Sequence, residues 1–408
     1  MAGQDRGPRT LSSRLLTDDR HGLYAFSESG GSMAQPQLFT PYRLRDVDLQ
    51  NRIVVSPMGQ HSAENGIAAG WHHMHLGQFA VSGVGLVLTE AIAVEERGRV
   101  SRGCLGIWTD EQAEELGRVV AFCRRYGSAR MGIQLGHSGR KGSVSTSWEG
   151  ARPVSVEAGG WTTCGPSALA YPGRIAPAEL SLAEIDELVD IFADAARRSD
   201  DAGFDVIELH AAHGYLLHNF LSPIANTRTD QHGGSLENRM RFVLGVCEAV
   251  RAAFPAGKVV GVRVSATDWI PGGWDLPDTL RLCAELKARG CDYICASSGG
   301  TAPEQSITVG PLYQVPFSEV IRREVDIPTM AVGLITEPRE AEGILQDGRA
   351  DLVALGRGML MNPRWAWRAA DELGAEAAFP PQYERAHPSL RRNDGFKVVP
   401  SRPSDRAA

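Results

Sequence analysis

The chain has 408 residues, 43% of them hydrophobic and 22% charged, with 45 glycines and 23 prolines. This excludes a collagenous or intrinsically disordered chain, and because no run approaches 18 apolar residues, no membrane span is expected. The 42 basic and 49 acidic side chains give a formal charge of −7, which disfavours nucleic acid or an anionic membrane as the main partner.

Residues 1–35 are rich in Arg, Asp, Ser and Gly and carry no apolar signal region. They read as a disordered tail, with Met33 an alternative start to Met1. Pattern begins near Leu38. Eight apolar, β-branched runs follow, at 52–56, 86–90, 131–135, 206–210, 259–264, 293–296, 329–332 and 352–355. They are continuously apolar, as buried parallel strands are. Helical patterns lie between them at 72–82, 110–126, 182–202, 235–254, 277–289, 315–325 and 338–346. Ser181 and Glu184 form a capping box at the start of 182–202, and Gly203 stands at its end. Cys104, Cys123, Cys164, Cys247, Cys283, Cys291 and Cys295 are odd in number and scattered. They suit reduced thiols in a cytoplasmic protein.

Length alone, at about 150 residues per domain, suggests nearly three domains. The rhythm instead predicts the α/β class: one (β/α)8 TIM barrel over residues 36–385. A doubly wound sheet is the alternative. It expects GxGxxG after its first strand, where Ser56-Pro57-Met58-Gly59 stands. The stretch 137–177 is aperiodic and too long for a plain connection. It holds Trp148, Trp161 and Tyr171 and is expected to be a lid. Residues 386–408 read as a C-terminal tail.

A barrel places its chemistry at the C-terminal ends of its strands. There the sequence puts His61, Glu90, Gln134, His137, His210, His213, Tyr215, Arg263, Ser265, Asp268, Ser297 and Ser298. The last two strands end in Gly333 and in Gly356-Arg357. Glycine turns there can cradle a phosphate, with Arg357 as a two-pronged donor; plain turns are the other explanation. His210 and His213 lack the Glu and third ligand of a zinc site, so no metal is expected. Beside Tyr215 they suit an oxyanion site with a phenolic proton donor; a satisfied buried histidine pair is the other reading.

Several long stretches carry a resemblance. They are Leu38-Phe-Thr-Pro-Tyr-Arg-Leu, Asn51-Arg-Ile-Val-Val-Ser-Pro-Met58, Gly132-Ile-Gln-Leu-Gly-His-Ser-Gly-Arg-Lys141, Ala202-Gly-Phe-Asp-Val-Ile-Glu-Leu-His210, Ala211-Ala-His-Gly-Tyr215, Arg228-Thr-Asp-Gln-His-Gly-Gly-Ser and Gly348-Arg-Ala-Asp-Leu-Val-Ala-Leu-Gly-Arg357. From about Leu38 to Arg385 the chain resembles the old yellow enzyme family of FMN-dependent ene-reductases, most of all its thermophilic-like bacterial branch with the xenobiotic reductases.

That resemblance implies one FMN at the barrel mouth and NAD(P)H, NADPH favoured, as reductant. Ser56, Pro57, Met58 and Gly59 would run beside the isoalloxazine, with Ala91 near it. Gln134 would bond the pyrimidine edge and Arg263 would face N1 and the C2 carbonyl. Gly333, Gly356 and Arg357 would hold the phosphate. His210 and His213 would bind the carbonyl oxygen of an α,β-unsaturated substrate, and Tyr215 would protonate its α-carbon. His61 would touch substrate. Tyr383 and Arg385, in Pro381-Gln-Tyr-Glu-Arg385, would reach a neighbouring subunit's site, implying a homodimer or homotetramer. Two positions depart from the branch, which usually has Cys where Gly59 stands and often Tyr where His61 stands. They leave room for an alternative: the same fold running a specialised desaturation or ring reduction.

Overall fold

The structure, a computed structural model, describes residues 35–386. The expectations of tails at the two ends therefore lie almost wholly outside the described residues. Every apolar run forms a strand: β1 (Ile53–Val55), β2 (Leu86–Ala93), β3 (Arg130–Gly136), β4 (Val206–Ala211), β5 (Val259–Ser265), β6 (Tyr293–Ser297), β7 (Thr329–Ala331) and β8 (Leu352–Leu355). They pair in parallel in chain order, and β8 pairs back onto β1, closing the barrel. Closure removes the sheet edges that would otherwise invite pairing with other chains. The doubly wound alternative is thereby excluded.

The strands connect through α1 (Gly70–Ala80), α2 (Asp110–Tyr126), α3 (Leu182–Asp201), α4 (Leu216–Leu221), α5 (Leu236–Ala253), α6 (Leu276–Ala288), α7 (Val315–Val325), α8 (Pro338–Gln346), α9 (Arg357–Met361) and α10 (Trp365–Leu373). In α3 the Ser181 hydroxyl accepts the Glu184 N–H, and the Glu184 carboxylate accepts the Ser181 N–H. Gly203 follows at φ +88°, a left-handed position that glycine fills without strain. Thr109, Ser235 and Asp275 cap α2, α5 and α6 by accepting the N–H three residues on, and Thr109 forms a full capping box with Gln112. β2 outruns its expected end at Glu90 because a bulge between Leu88 and Ala91 restores pairing with β3 as far as Ala93.

Two apolar layers hold the barrel. The larger lies between strands and helices, with Phe79, Phe192, Phe242 and Trp365 fully enclosed. The smaller fills the barrel's N-terminal half. There the hairpin of Tyr42–Leu44 and Val47–Leu49 presses Leu44, Val47 and Leu49 onto Val54, Leu86, Val206, Val259 and Leu352. Each such buried side chain contributes about 1.5–3 kcal/mol. With that end plugged by hydrocarbon, polar side chains gather at the other.

The stretch 137–177 folds as two single 3-10 turns, Gly139–Lys141 and Ser147–Glu149, and the strand Cys164–Gly165, which pairs with Ala178–Glu179. Side chains anchor it to the barrel: Trp161 Nε1 donates to Arg97 O (2.9 Å), and Arg140 donates to Thr301 O (2.8 Å). No helix among the described residues is long and apolar enough to cross a membrane. All seven cysteines are buried and unpaired.

Candidate active site

A cavity of about 430 Å³ opens at the C-terminal end of the strands, lined by Ser56, Pro57, Met58, Arg263, Gly333, Gly356 and Arg357 among others. One end is built from backbone. Gly333 sits at φ +120°, and a Cβ there would stand 3.0 Å from the Gln314 side chain. The exposed Arg357 makes no ion pair among the described residues. This suits a phosphate. At the other end Arg263 is 8% exposed and donates from Nη1 to Ser56 Oγ (2.9 Å), while its Nε has no partner. A buried N–H without an acceptor is costly and marks a ligand's place. Gln134, on β3 and outside the residues lining the cavity, commits its Nε2 to Glu208 (2.8 Å) and has no partner at Oε1 among the described residues. Cation, acceptor and glycine cradle together fit FMN.

The adjoining rim comes from the end of β4. Ala91 shares a small hollow there with His210 and Tyr215. The His210 ring lies 5.1 Å from that of His213 and 5.0 Å from that of Tyr215. Burial, then the nearby Arg263, pushes both imidazoles well below the usual histidine range, so both are neutral. Burial pushes the Tyr215 phenol up to about 12, so it keeps its proton.

The turn carrying these groups is left-handed, with φ +60° at His213 and +69° at Gly214; such a backbone costs about 1–3 kcal/mol at a non-glycine residue unless its surroundings enforce it. Here they do. Ser265 Oγ accepts the His213 N–H, Lys141 Nζ donates to His213 O, His218 Nδ1 accepts the Gly214 N–H, and Asn219 Nδ2 donates to Gly214 O, all at 2.9 Å. Behind His218, whose Nε2 is 3.2 Å away, stands Asp268. It also accepts from Thr301 (2.5 Å), Ser222 (2.6 Å) and the Trp274 N–H (2.8 Å). Burial raises Asp268, but His218 and the hydroxyl donors outweigh it and hold the carboxyl at about 2. Residue 214 must be glycine, since a Cβ would lie 2.2 Å from Gly300 O.

His61 sits beside Gly59: its Nε2 would be 3.6 Å from a Cβ at 59, the nearest atom to it. Its Nδ1 bonds Ser101 Oγ (2.7 Å), and Trp148 meets the ring edge-on at 5.9 Å. Tyr383 and Arg385 are not brought to this cavity. Tyr383 packs against Trp367 and Arg364, and Arg385 is exposed.

Sequence reasoning missed Lys141, Glu208, His218, Tyr293 and Gln314, and named Ser265, Asp268 and Ser297 without a role. Lys141 is half-buried, and its partial removal from water lowers it to about 8. The signals were an acid inside an apolar strand (Glu208) and a lysine ending a long matched stretch.

Glu95, His137 and Cys164 bring three metal-capable atoms together. His137 Nδ1, however, accepts the Gly139 N–H (3.0 Å), so the ring proton is on Nε2, donated to Glu95 (2.7 Å). A cation on Nε2 would force that proton onto Nδ1, against the Gly139 N–H, and Arg97 already covers the same carboxylate oxygen. The cluster is a hydrogen-bonded link between the stretch 137–177 and the segment that follows β2.

A family described as NADH:flavin oxidoreductase / NADH oxidase matches residues 37–376. The chain is 43% identical over 354 residues to an NADPH dehydrogenase of Geobacillus sp. (strain WCH70), covering 86% of this chain and 98% of that one. It is 45% identical over 353 residues to an NADPH dehydrogenase of Listeria innocua, covering 86% and 99%. Among solved structures, morphinone reductase superposes with a TM-score of 0.70 at 29% identity, covering 86% of this chain and 94% of that one. A 2-naphthoyl-CoA reductase complex superposes at 0.75 with 22% identity, a likeness of fold; this chain covers 52% of it.

Proposed function

The chain belongs to the NADH:flavin oxidoreductase / NADH oxidase family, that of the old yellow enzymes, and from that premise we propose that it reduces the activated C=C bond of α,β-unsaturated carbonyl compounds. Ser56, Gln134, Arg263, Gly333, Gly356 and Arg357 would hold FMN, which when bound would supply hydride transfer from reduced nicotinamide, NADPH by preference, to the substrate's β-carbon. The reading is carried by two neutral imidazoles, His210 buried and His213 half-buried, and a protonated phenol meeting at the cavity rim.

The proton positions follow from the hydrogen bonds. His210 Nδ1 accepts the Ala212 N–H (3.3 Å), so its own proton is on Nε2, facing His213 Nδ1 (3.3 Å). His213 then carries its proton on Nε2, bonded to Ser297 Oγ (2.6 Å). A carbonyl oxygen entering between the rings reverses the second link. Ser297 turns to donate to Nε2, the His213 proton moves to Nδ1, and both rings donate to the oxygen. The donors stabilise that oxygen as negative charge develops; one such donor is worth about 2.7–4 kcal/mol. Tyr215 supplies the α-carbon proton. Lys141, whose Nζ is 5.1 Å from the centre of the Tyr215 ring, adds positive potential where the charge forms.

Tyr383 and Arg385 serve the site of a second copy, in a homodimer or homotetramer, and the enzyme works in the cytoplasm. The lone His61 ring beside Gly59 favours one second reading, in which this site runs a specialised desaturation or ring reduction.

Anaerobic spectroscopy tests the proposal. NADPH should bleach the visible flavin band and 2-cyclohexenone should restore it. His210→Ala with His213→Ala should leave bleaching intact and slow the recovery about 10²–10³-fold. Recovery at the normal rate would refute the assignment, and bleaching that no enone reverses would favour the second reading.

A further inference from the structure

Glu208 lies in the middle of β4, fully buried among Ile207, Leu209 and the inner strands. An ionisable group there costs several kcal/mol unless partners offset it, and no step above uses it. Its partners are specific. Oε1 accepts from Gln134 Nε2 (2.8 Å) and Oε2 from the Tyr293 hydroxyl (3.1 Å). Both oxygens accept, and among the described residues no acceptor faces them, which is the arrangement an ionised Glu208 requires.

The neighbouring strands are shaped around this contact. Tyr293, on β6, reaches Glu208 across β5 because residue 261 is glycine: a Cβ there would stand 2.1 Å from the Tyr293 ring. Gln134 comes from β3, directly opposite Glu208 in register. The carboxylate can accept but not donate, so it fixes which way the Gln134 amide lies. Nε2 is committed downward, and Oε1 is left as the acceptor. Burial pushes the Glu208 carboxyl above the usual carboxylate range, and Arg263 on β5, with Gln134 and Tyr293, works against that rise; the Arg263 Nε itself lacks a partner.

We propose that Glu208 is a positioning residue for the flavin: it locks Gln134 so that the amide offers an acceptor to the flavin N3–H, and its charge offsets that of Arg263 at the pyrimidine edge. This rests on FMN occupying the cavity, with its pyrimidine edge on Gln134.

The test reads cofactor binding and potential. The flavin-free protein is titrated with FMN and with 3-methyl-FMN, following quenching of flavin fluorescence. The wild type should prefer FMN by about tenfold or more, the worth of one hydrogen bond to a buried acceptor. Glu208→Met frees the amide to turn over, so the preference should shrink to about twofold. Glu208→Gln still accepts from Gln134 and should keep the preference, but it removes the charge. The reduced cofactor should then be held about tenfold more tightly relative to the oxidised one, a rise in midpoint potential of about 30 mV for two electrons. Tyr293→Phe should leave the preference unchanged.

A Glu208→Met protein that still rejects 3-methyl-FMN would overturn the lock. An unchanged potential in Glu208→Gln would overturn the charge balance, and this near-isosteric variant keeps the proposal testable should the Met variant not fold. A wild type that binds no FMN would remove the flavin reading itself, whereas one that binds both flavins equally would remove only the lock.

Discussion

The two halves of the cavity rim are made differently. The half after β7 and β8 is backbone: Gly333, Gly356 and the exposed Arg357, with little cross-linking. The half after β4 is side chains. The His213–Gly214 peptides are gripped by Lys141, His218, Asn219 and Ser265, and His218 is backed by Asp268. A backbone cradle needs only the absence of Cβ atoms. A cross-linked corner needs every partner, because each one removed leaves another buried and unsatisfied.

Asp268→Ala should separate the halves most sharply. It strips His218, Ser222, Thr301 and the Trp274 N–H of a shared acceptor, and removing a buried charged partner costs about 3–5 kcal/mol. Urea unfolding should register that loss. His218→Asn should cost much less, since its Oδ1 can accept the Gly214 N–H in place of Nδ1. Gly333→Ala, in the other half, should cost about 1–2 kcal/mol for its φ of +120°, and should weaken FMN binding about tenfold in a fluorescence titration. If Asp268→Ala cost no more than Gly333→Ala, the contrast between the halves would be wrong.

The same contrast explains what was legible in the sequence. The eight strands could be read because each is apolar on both faces, and α3 because Ser181, Glu184 and Gly203 spell out its ends. The glycine turns at Gly333 and Gly356-Arg357 could be read because each is local in sequence. His210, His213 and Tyr215 lie within six residues and were found together. Their supports were not, since Lys141, Asp268 and Thr301 come from three different strand ends and meet only once the barrel closes. Glu208 was quoted within a matched stretch yet given no role, because its meaning depends on Gln134 and Tyr293, 74 and 85 residues away.

Lys141 sharpens the comparison through pH. Burial lowers it from 10.5 to about 8. Between those values the unfolded chain binds the proton that the folded chain has released, so stability should rise with pH across that window. Flavin recovery by an enone should do the opposite and slow as pH passes 8, because the positive charge beside the forming oxyanion is lost. Lys141→Met should abolish both trends. A single variant moving a denaturation midpoint and a rate in opposite senses is not expected of a merely structural lysine.

The smallest effect belongs to the stretch 137–177. Trp148 is 68% exposed and meets the rest of the chain edge-on at His61, so Trp148→Ala should change stability by no more than about 0.5 kcal/mol. Its place beside His61 and Gly59, where no other side chain lies within 4 Å of a Cβ at 59, matters only to a substrate large enough to reach it. KM for 2-cyclohexenone should therefore stay within about twofold, whereas KM for a polycyclic enone should rise about fivefold, the loss of roughly 1 kcal/mol of aromatic contact. Equal KM changes for both substrates would place the tryptophan outside the substrate's path. The stretch 137–177 would then matter to the site only through Arg140 and Lys141, which bind the loop that follows β6.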